Sequence, residues 1–410
     1  MRRTDTTLSE SSGGTPSPPR RERDHRLDFA RGLALIAIFI DHIPQNPVAT
    51  LTLRKLAFCD AAEVFVLVSG IASYLAYGSR LDRYGLAACW RAVGRRWLAI
   101  YVAHIALFTV IAAGTSAITA RFAGADYVGF LRLEWLFAHP KTAFEAALTL
   151  RYLPTYLDIL PLYLLLLAVA PILIVLVKRS TPLLILASAA LYFAVRHFGT
   201  NLAADTYGRE WYFDPFAWQL VYVIGIVIGH VSSELKSHKL WNRGLLIVAL
   251  VLVVFGVIAA APWKGPDVGL DFFSSGLVLW PAEKTFLAPA RIVNLLALTY
   301  AFAFLVPARC EFFKGKIAAP FLWCGQHSLP VYATSVVLSC AGYVIMTEDA
   351  QIPGIGLLVN VVGTASLIGL AAVLDQRART VGINYIVTRF PQLRYMTVAL
   401  GAQSAQLDGR

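Results

Sequence analysis

Ten long apolar runs, each closed off by charge, Pro or Gly, leave this chain almost no way to fold except in lipid. They fall at about 27–43, 60–79, 93–113, 153–177, 182–196, 216–232, 244–262, 292–307, 317–342 and 355–375. A run of about 20 residues crosses the hydrocarbon core as a helix. A bilayer interior offers no water to backbone N–H and C=O groups, so helices that close their own hydrogen bonds are the form such runs take. Several runs are short or interrupted by Pro or charge, which a helix tolerates where it faces protein or a water-filled cavity. Apolar residues are 57% of the chain and charged ones 15%, whereas soluble domains carry roughly a quarter charged residues. The pattern predicts an all-α, polytopic membrane protein with about ten transmembrane helices.

Charge sets the orientation. Arg20, Arg21, Arg23 and Arg26 precede the first run, and Arg80, Arg83, Arg91, Arg95 and Arg96 separate the second from the third. Lys178, Arg179, Lys236, Lys239, Arg243, Arg309, Lys314, Lys316, Arg377 and Arg379 fall on the same side of the alternation. By the positive-inside rule that side is the cytosol, which predicts N-in and C-in. The net charge of +11 is then topological. Nucleic acid is excluded as a partner, because no single basic face carries aromatic platforms. Residues 1–25, rich in Arg, Ser, Thr, Pro and Gly, are expected to be a disordered cytosolic tail. Residues 26–378 form the transmembrane domain and 379–410 a cytosolic C-terminal tail. No small-x-small cleavage pattern follows the first apolar run, so no signal peptide is expected.

Three loops are expected outside, at about 114–152, 197–215 and 263–291. They hold Trp135, Trp211, Trp263 and Trp280, which suit either an aromatic belt at the headgroups or stacking on a sugar ring. Of five cysteines, Cys324 and Cys340 share one expected helix about 24 Å apart, too far for a disulfide. Free thiols are expected.

The informative residues are the polar ones inside the runs. The first run carries Asp28 and Arg31 near the cytosol and Asp41 and His42 near the outer leaflet. At 100° per residue, Arg31 and His42 come within about 20° of one face, about 16 Å apart in height. Asp28 and Arg31 can be an interfacial ion pair or part of a site. Asp60 and Glu63, three apart on one helix face, open the second run at the depth of His42. Beyond them, Ser69, Gly70 and Ser73 suit close helix packing. A His beside carboxylates is what general-base catalysis needs, since a carboxylate sets the tautomer and steadies the imidazolium. A proton relay would use the same residue types. In the fourth run Pro161 is expected to kink a helix beside Asp158, with the Tyr156 and Tyr163 hydroxyls lining a cavity. In the ninth, His327 and Ser328 sit roughly mid-membrane. The Arg80–Arg96 segment can bind phosphates or simply mark the cytosolic side. No metal-ligand spacing, P-loop or nucleophile elbow occurs, so an activated group carried by a coenzyme suits the chain better than a metal.

Several of these pieces have a familiar order. The Arg26-x-Asp28-x-x-Arg31-Gly32-x-Ala…His42 run resembles the first helix of the acyltransferase-3 superfamily and of heparan-glucosaminide acetyltransferases. Closer still, the chain resembles the OpgC family, which succinylates osmoregulated periplasmic glucans. The matching pieces are Asp60-Ala-Ala-Glu63-Val-Phe-Val-Leu-Val-Ser69-Gly70, Ile159-Leu-Pro161-Leu-Tyr163, Phe213-Asp214-Pro215-Phe216-Ala-Trp218-Gln219-Leu and Gly325-Gln326-His327-Ser328-Leu-Pro330-Val. The resemblance implies a multi-pass protein of the bacterial inner membrane. Its donor would be cytosolic acyl-CoA, with succinyl-CoA one form, and its acceptor a periplasmic glucan or other glycan. His42 then stands at the catalytic histidine and Arg31 at a donor-linked arginine. On this reading Asp41, Asp60 or Glu63 orients His42, and Asp28, Arg31, Asp158, Tyr163, His327 and Ser328 contact substrates. A tunnel through the bundle is a corollary. The competing expectations are an exporter of a glycan or lipid-linked intermediate and a non-catalytic scaffold of glucan synthesis.

Overall fold

The computed structural model describes residues 23–122, 125–234, 241–260 and 283–389, and their side chains apart from those of 234, 260 and 381–389. Among the described residues the architecture is all-helical, with one isolated bridge pairing Ala203 and Glu210. Apart from four short helices between residues 53 and 148, the longest of them Pro140–Leu148, the α-helices in order are α1 His25–Asp41, α2 Ala61–Arg121, α3 Ile159–Arg179, α4 Thr181–Phe198, α5 Pro215–Glu234, α6 Arg243–Ala260, α7 Pro289–Leu305, α8 Ala319–Gln326, α9 Ser328–Glu348 and α10 Ile355–Arg389. Six of them, α2, α3, α4, α5, α9 and α10, are long and apolar enough to cross a membrane by length and composition. Shorter apolar helices are α6 and α7.

Local chemistry explains the helix ends. Asp24 accepts from the Arg26 amide and starts α1. Asp60 and Glu63 form a capping box at the start of α2, each side chain accepting a backbone N–H of the other's turn. Ser180 caps α4, with Pro182 in its first turn and Gly199 in the left-handed conformation past its end. The second and third runs, expected as separate spans, lie on two arms of the single element α2. The arms bend at Gly85, whose φ of 76° and ψ of 177° are outside helical space and open to glycine alone at little cost.

Two other expectations need correcting. Pro161 does not kink a helix: α3 begins at Ile159, so Pro161 lies in the first turn, where a missing N–H breaks no bond. The ninth run is two helices, α8 and α9, which meet at His327 with φ −106° and ψ 39°. Trp135 and Trp211 are buried at 7% and 3% exposure. They pack inside the protein instead of facing headgroups or sugars. Trp263, Trp280, Lys236, Lys239, residues 1–22 and residues 390–410 lie outside the described residues.

The helices leave large apolar side chains exposed as well as buried. On α6, Ile247, Val251, Val254 and Ile258 are 62%, 61%, 54% and 53% exposed, one apolar stripe that suits acyl chains and no aqueous surface. The centre is built by α2, which packs on α5, α3 and α1, while α1 packs on α8. Glycines permit the tightest crossings. A Cβ on Gly32 would stand 1.9 Å from the Phe321 carbonyl oxygen, and one on Gly325 1.8 Å from that of Asp28. Gly70 and Gly225 meet in the same way across α2 and α5, as the small-residue run at 69–73 suggests.

Candidate functional site

A cavity of about 160 Å³ runs inside the bundle along one face of α2. Phe65, Ser69, Ala72, Ser73, Ala76 and Tyr77 form that face, spanning about 18 Å at 1.5 Å per residue. Arg31 of α1, Arg96 and Ile100 of the second α2 arm, Leu160 and Tyr163 of α3, and Ser328, Leu329 and Tyr332 of α9 close it. Three residues expected at the site thus meet there: Arg31, Tyr163 and Ser328. Ser73 is held by the Tyr222 hydroxyl, which donates to its Oγ at 2.7 Å.

Arg31 is tethered through a single guanidinium nitrogen. Its Nη1 donates to the Gly325 carbonyl at 3.4 Å and lies 3.7 Å from Asp28 Oδ1. The buried Asp28 carboxylate is also clasped by Arg23, whose Nε and Nη2 donate at 2.5 and 3.0 Å. One acid therefore serves two guanidiniums, and Arg31 keeps donors for the cavity. The contact to Gly325 exists because Gly32 and Gly325 bring α1 and α8 together.

His42 caps α1 and stacks on Tyr156, with ring centroids 4.4 Å apart. Its Nδ1 is enclosed without a hydrogen-bond partner among the described residues, which leaves Nε2 as the ring nitrogen able to face a substrate. Tyr156 has a φ of 70°, and its carbonyl accepts from the Tyr332 hydroxyl at 3.0 Å. Tyr332 therefore touches the cavity on one side and supports the partner of His42 on the other. The segment after His42 is pinned by a reciprocal amide pair, Asn46 and Asn360, at 2.9 and 2.8 Å.

None of the three carboxylates expected to orient His42 bonds to it. Asp41 Oδ1 accepts from the Thr52 hydroxyl at 2.6 Å, and Arg54 Nη1 donates to the Asp41 carbonyl at 2.9 Å. Asp60 Oδ2 accepts from Lys284 Nζ at 2.5 Å and Arg291 Nη2 at 3.2 Å. Glu63 Oε1 accepts from Arg291 Nε, and its Oε2 from the Asp60 amide. Two acids and two bases thus neutralise each other in a buried cluster, the condition under which charges survive in a low-dielectric interior. Burial alone would lower Lys284, but Asp60 and Glu63 outweigh it and hold the ammonium above its ordinary range. Lys284 also lies over the Phe213 ring at 5.3 Å. Asp60 and Lys284 both act electrostatically on His42, so the cluster is a neighbour of the histidine and not its hydrogen-bond partner. No local signal ties Lys284 and Arg291 to residues more than 200 positions earlier.

The remaining expected residues are placed apart. Asp158 stands at the N-cap of α3 without a side-chain cap bond and acts electrostatically on Tyr332. His327 Nε2 is 3.9 Å from Asp375 Oδ1, whose Oδ2 is held by Arg379. His327 does not line the cavity, whereas the next residue, Ser328, does. Sequence reasoning missed Tyr332 and Tyr77 as lining residues, because aromatic residues in apolar helices carry no mark of which face they occupy. Among the described residues no group of three or more His, Cys, Asp and Glu is placed to hold a metal.

The chain matches no curated protein. Its residues 23–379 match the family model described as OpgC protein, a span that takes in α1, the cavity and the buried ion-pair cluster alike, and the chain belongs to that family.

Proposed function

We propose that this protein is a membrane-embedded O-acyltransferase that moves an acyl group, succinyl in the simplest case, from cytosolic acyl-CoA to hydroxyls of a periplasmic glucan. The two arms of α2, the helix pair α8–α9 and the other principal helices amount to ten crossings of the inner membrane, N-in and C-in. Arg31 and Tyr77 then lie toward the cytosol, and His42, Asp60 and Asp158 toward the periplasm. The observation that carries the reading is continuity: Arg31 and Tyr332 line one cavity, Tyr332 holds Tyr156, and Tyr156 stacks on His42.

The chemistry assigns one role to each end. Arg31, tethered but with donors to spare, holds the donor near the cytosolic mouth. His42 Nε2 takes the proton of the acceptor hydroxyl as its oxygen attacks the thioester carbonyl. The C–S bond breaks, and the proton passes to the departing thiolate. General-base assistance of this kind contributes about 10²–10⁴-fold. Tyr163 and Ser328 line the path between. Asp28 keeps Arg31 in place, while Asp60, Glu63 and their cationic partners frame the periplasmic end.

The test is mass spectrometry of periplasmic glucans from cells lacking the protein, complemented with wild type or with His42→Ala at equal membrane abundance. Wild type is expected to restore an acyl mass increment that His42→Ala does not. Restoration by both would remove His42 from the mechanism. Restoration by neither would remove the glucan as acceptor.

A further inference from the structure

At the bend of α2 lies a second concavity of about 510 Å³. Arg80 and Tyr84 line it from the first arm, and Ala88, Arg91 and Arg95 from the second. The pairs 80/84 and 91/95 are each four apart, so each arm presents one helical face, and the left-handed Gly85 turns the two faces toward each other. No carboxylate lines the concavity. Asp82, the acid nearest in sequence, is held by Lys178 at 2.6 Å. Positive-inside topology accounts for three arginines on this side, but it does not call for a concavity around them. Nor does it explain Tyr84, an aromatic residue left 69% exposed at its rim.

We infer that the Arg80–Tyr84–Arg91–Arg95 concavity binds the phosphorylated nucleotide handle of the acyl donor, an inference that rests on the acyl-transfer reading. Guanidiniums fork onto phosphate oxygens in a geometry that ammonium groups lack, and three of them around one hollow suit a ligand with more than one phosphate. Tyr84 offers a ring face for stacking a base. Position along α2 supplies the link to the reaction. Arg95 lines this concavity, while Arg96, the next residue, lines the cavity that leads toward His42. A carrier seated by its phosphates here can send its thioester arm past Arg96 and Arg31 into the bundle.

The same phosphate chemistry could come from an anionic lipid headgroup, and the experiment separates the two sources. The full chain in phosphatidylcholine nanodiscs is titrated with coenzyme A, as wild type, as Arg80→Gln/Arg91→Gln/Arg95→Gln, as Arg91→Gln alone and as Tyr84→Ala. Wild type is expected to bind, and the triple variant to bind about tenfold or more weakly, with the single variants between them. Retained thermal stability of Arg91→Gln and Tyr84→Ala guards against a folding defect in the triple variant. Equal affinity in wild type and triple variant, or no binding by wild type, overturns the inference. So does native mass spectrometry in which wild type retains phosphatidylglycerol and the triple variant loses it while coenzyme A binding is unchanged. Binding is read without acyl transfer, so a negative glucan assay leaves this site standing. A wild type that acylates glucan but ignores the three arginines in binding coenzyme A removes the site alone.

Discussion

The rings of His42 and Tyr156 lie stacked, centroids 4.4 Å apart and planes 27° from parallel. Tyr156 reaches that position from a left-handed backbone, φ 70°, which costs a non-glycine residue about 1–2 kcal/mol. The Tyr332 hydroxyl on the Tyr156 carbonyl helps to offset that cost. The support of the histidine is therefore an aromatic face and not one of the three acids near it.

Stacking requires a ring and not a hydroxyl. Tyr156→Phe should keep glucan acylation near the wild-type rate, and Tyr156→Ala should lower it about threefold to tenfold, the worth of an aromatic pair. Rates come from mass spectrometry of glucan at matched protein abundance. Wild-type acylation by Tyr156→Ala would show that the ring does not position His42.

The crossing of α1 and α8 has no room for a methyl group. Gly32→Ala and Gly325→Ala should each cost about 1–3 kcal/mol through overpacking and lower the thermal midpoint in detergent by about 5 °C or more. Gly94→Ala, where a Cβ meets nothing within 4 Å, serves as the control and should not fall. If Gly32→Ala melts with wild type, the helices do not approach as closely as described.

Within the buried cluster, removing one partner strands another. Arg291→Met leaves Glu63 Oε1 without its guanidinium and should destabilise by about 3–5 kcal/mol. Arg291→Met/Glu63→Met, which removes both charges, should recover part of that loss. Thermal midpoints of the two variants decide it. A double variant no better than the single one would mean that packing, not charge, makes Arg291 necessary.

Bulk in the long cavity should stop transfer without unfolding the bundle. Ala76 lines it between Ser73 and Tyr77, and Ala76→Trp should lower glucan acylation by about 100-fold while the protein remains folded and membrane-inserted. The near 3 kcal/mol that this represents is within what misplacement of reacting groups removes. Undiminished acylation would show that the donor travels by another path.

Much of this architecture is written locally. Apolar runs and the Asp60–Glu63 box act over a few residues, so they mark helices and their starts without reference to the rest of the chain. The association of Arg31 with Gly32 and of His327 with Gly325 and Ser328 is readable as motif, yet only Arg31 and Ser328 of that set reach the cavity. Pro161 misled because its effect depends on where the helix begins, and the left-handed turn at Tyr156 that delays α3 is not encoded by glycine.

What the sequence by itself determined is that the chain lives in a membrane as helices, with ionisable residues in places that demand partners. Tertiary structure alone decided who the partners are. Glu63 meets Arg291 across 228 positions, and Tyr156 meets Tyr332 across 176. Helical periodicity repeats every 3.6 residues and says which residues share a face, but not which other helix that face meets. That choice is made by packing, where glycines let helices touch and opposite charges must be brought together before either can be buried.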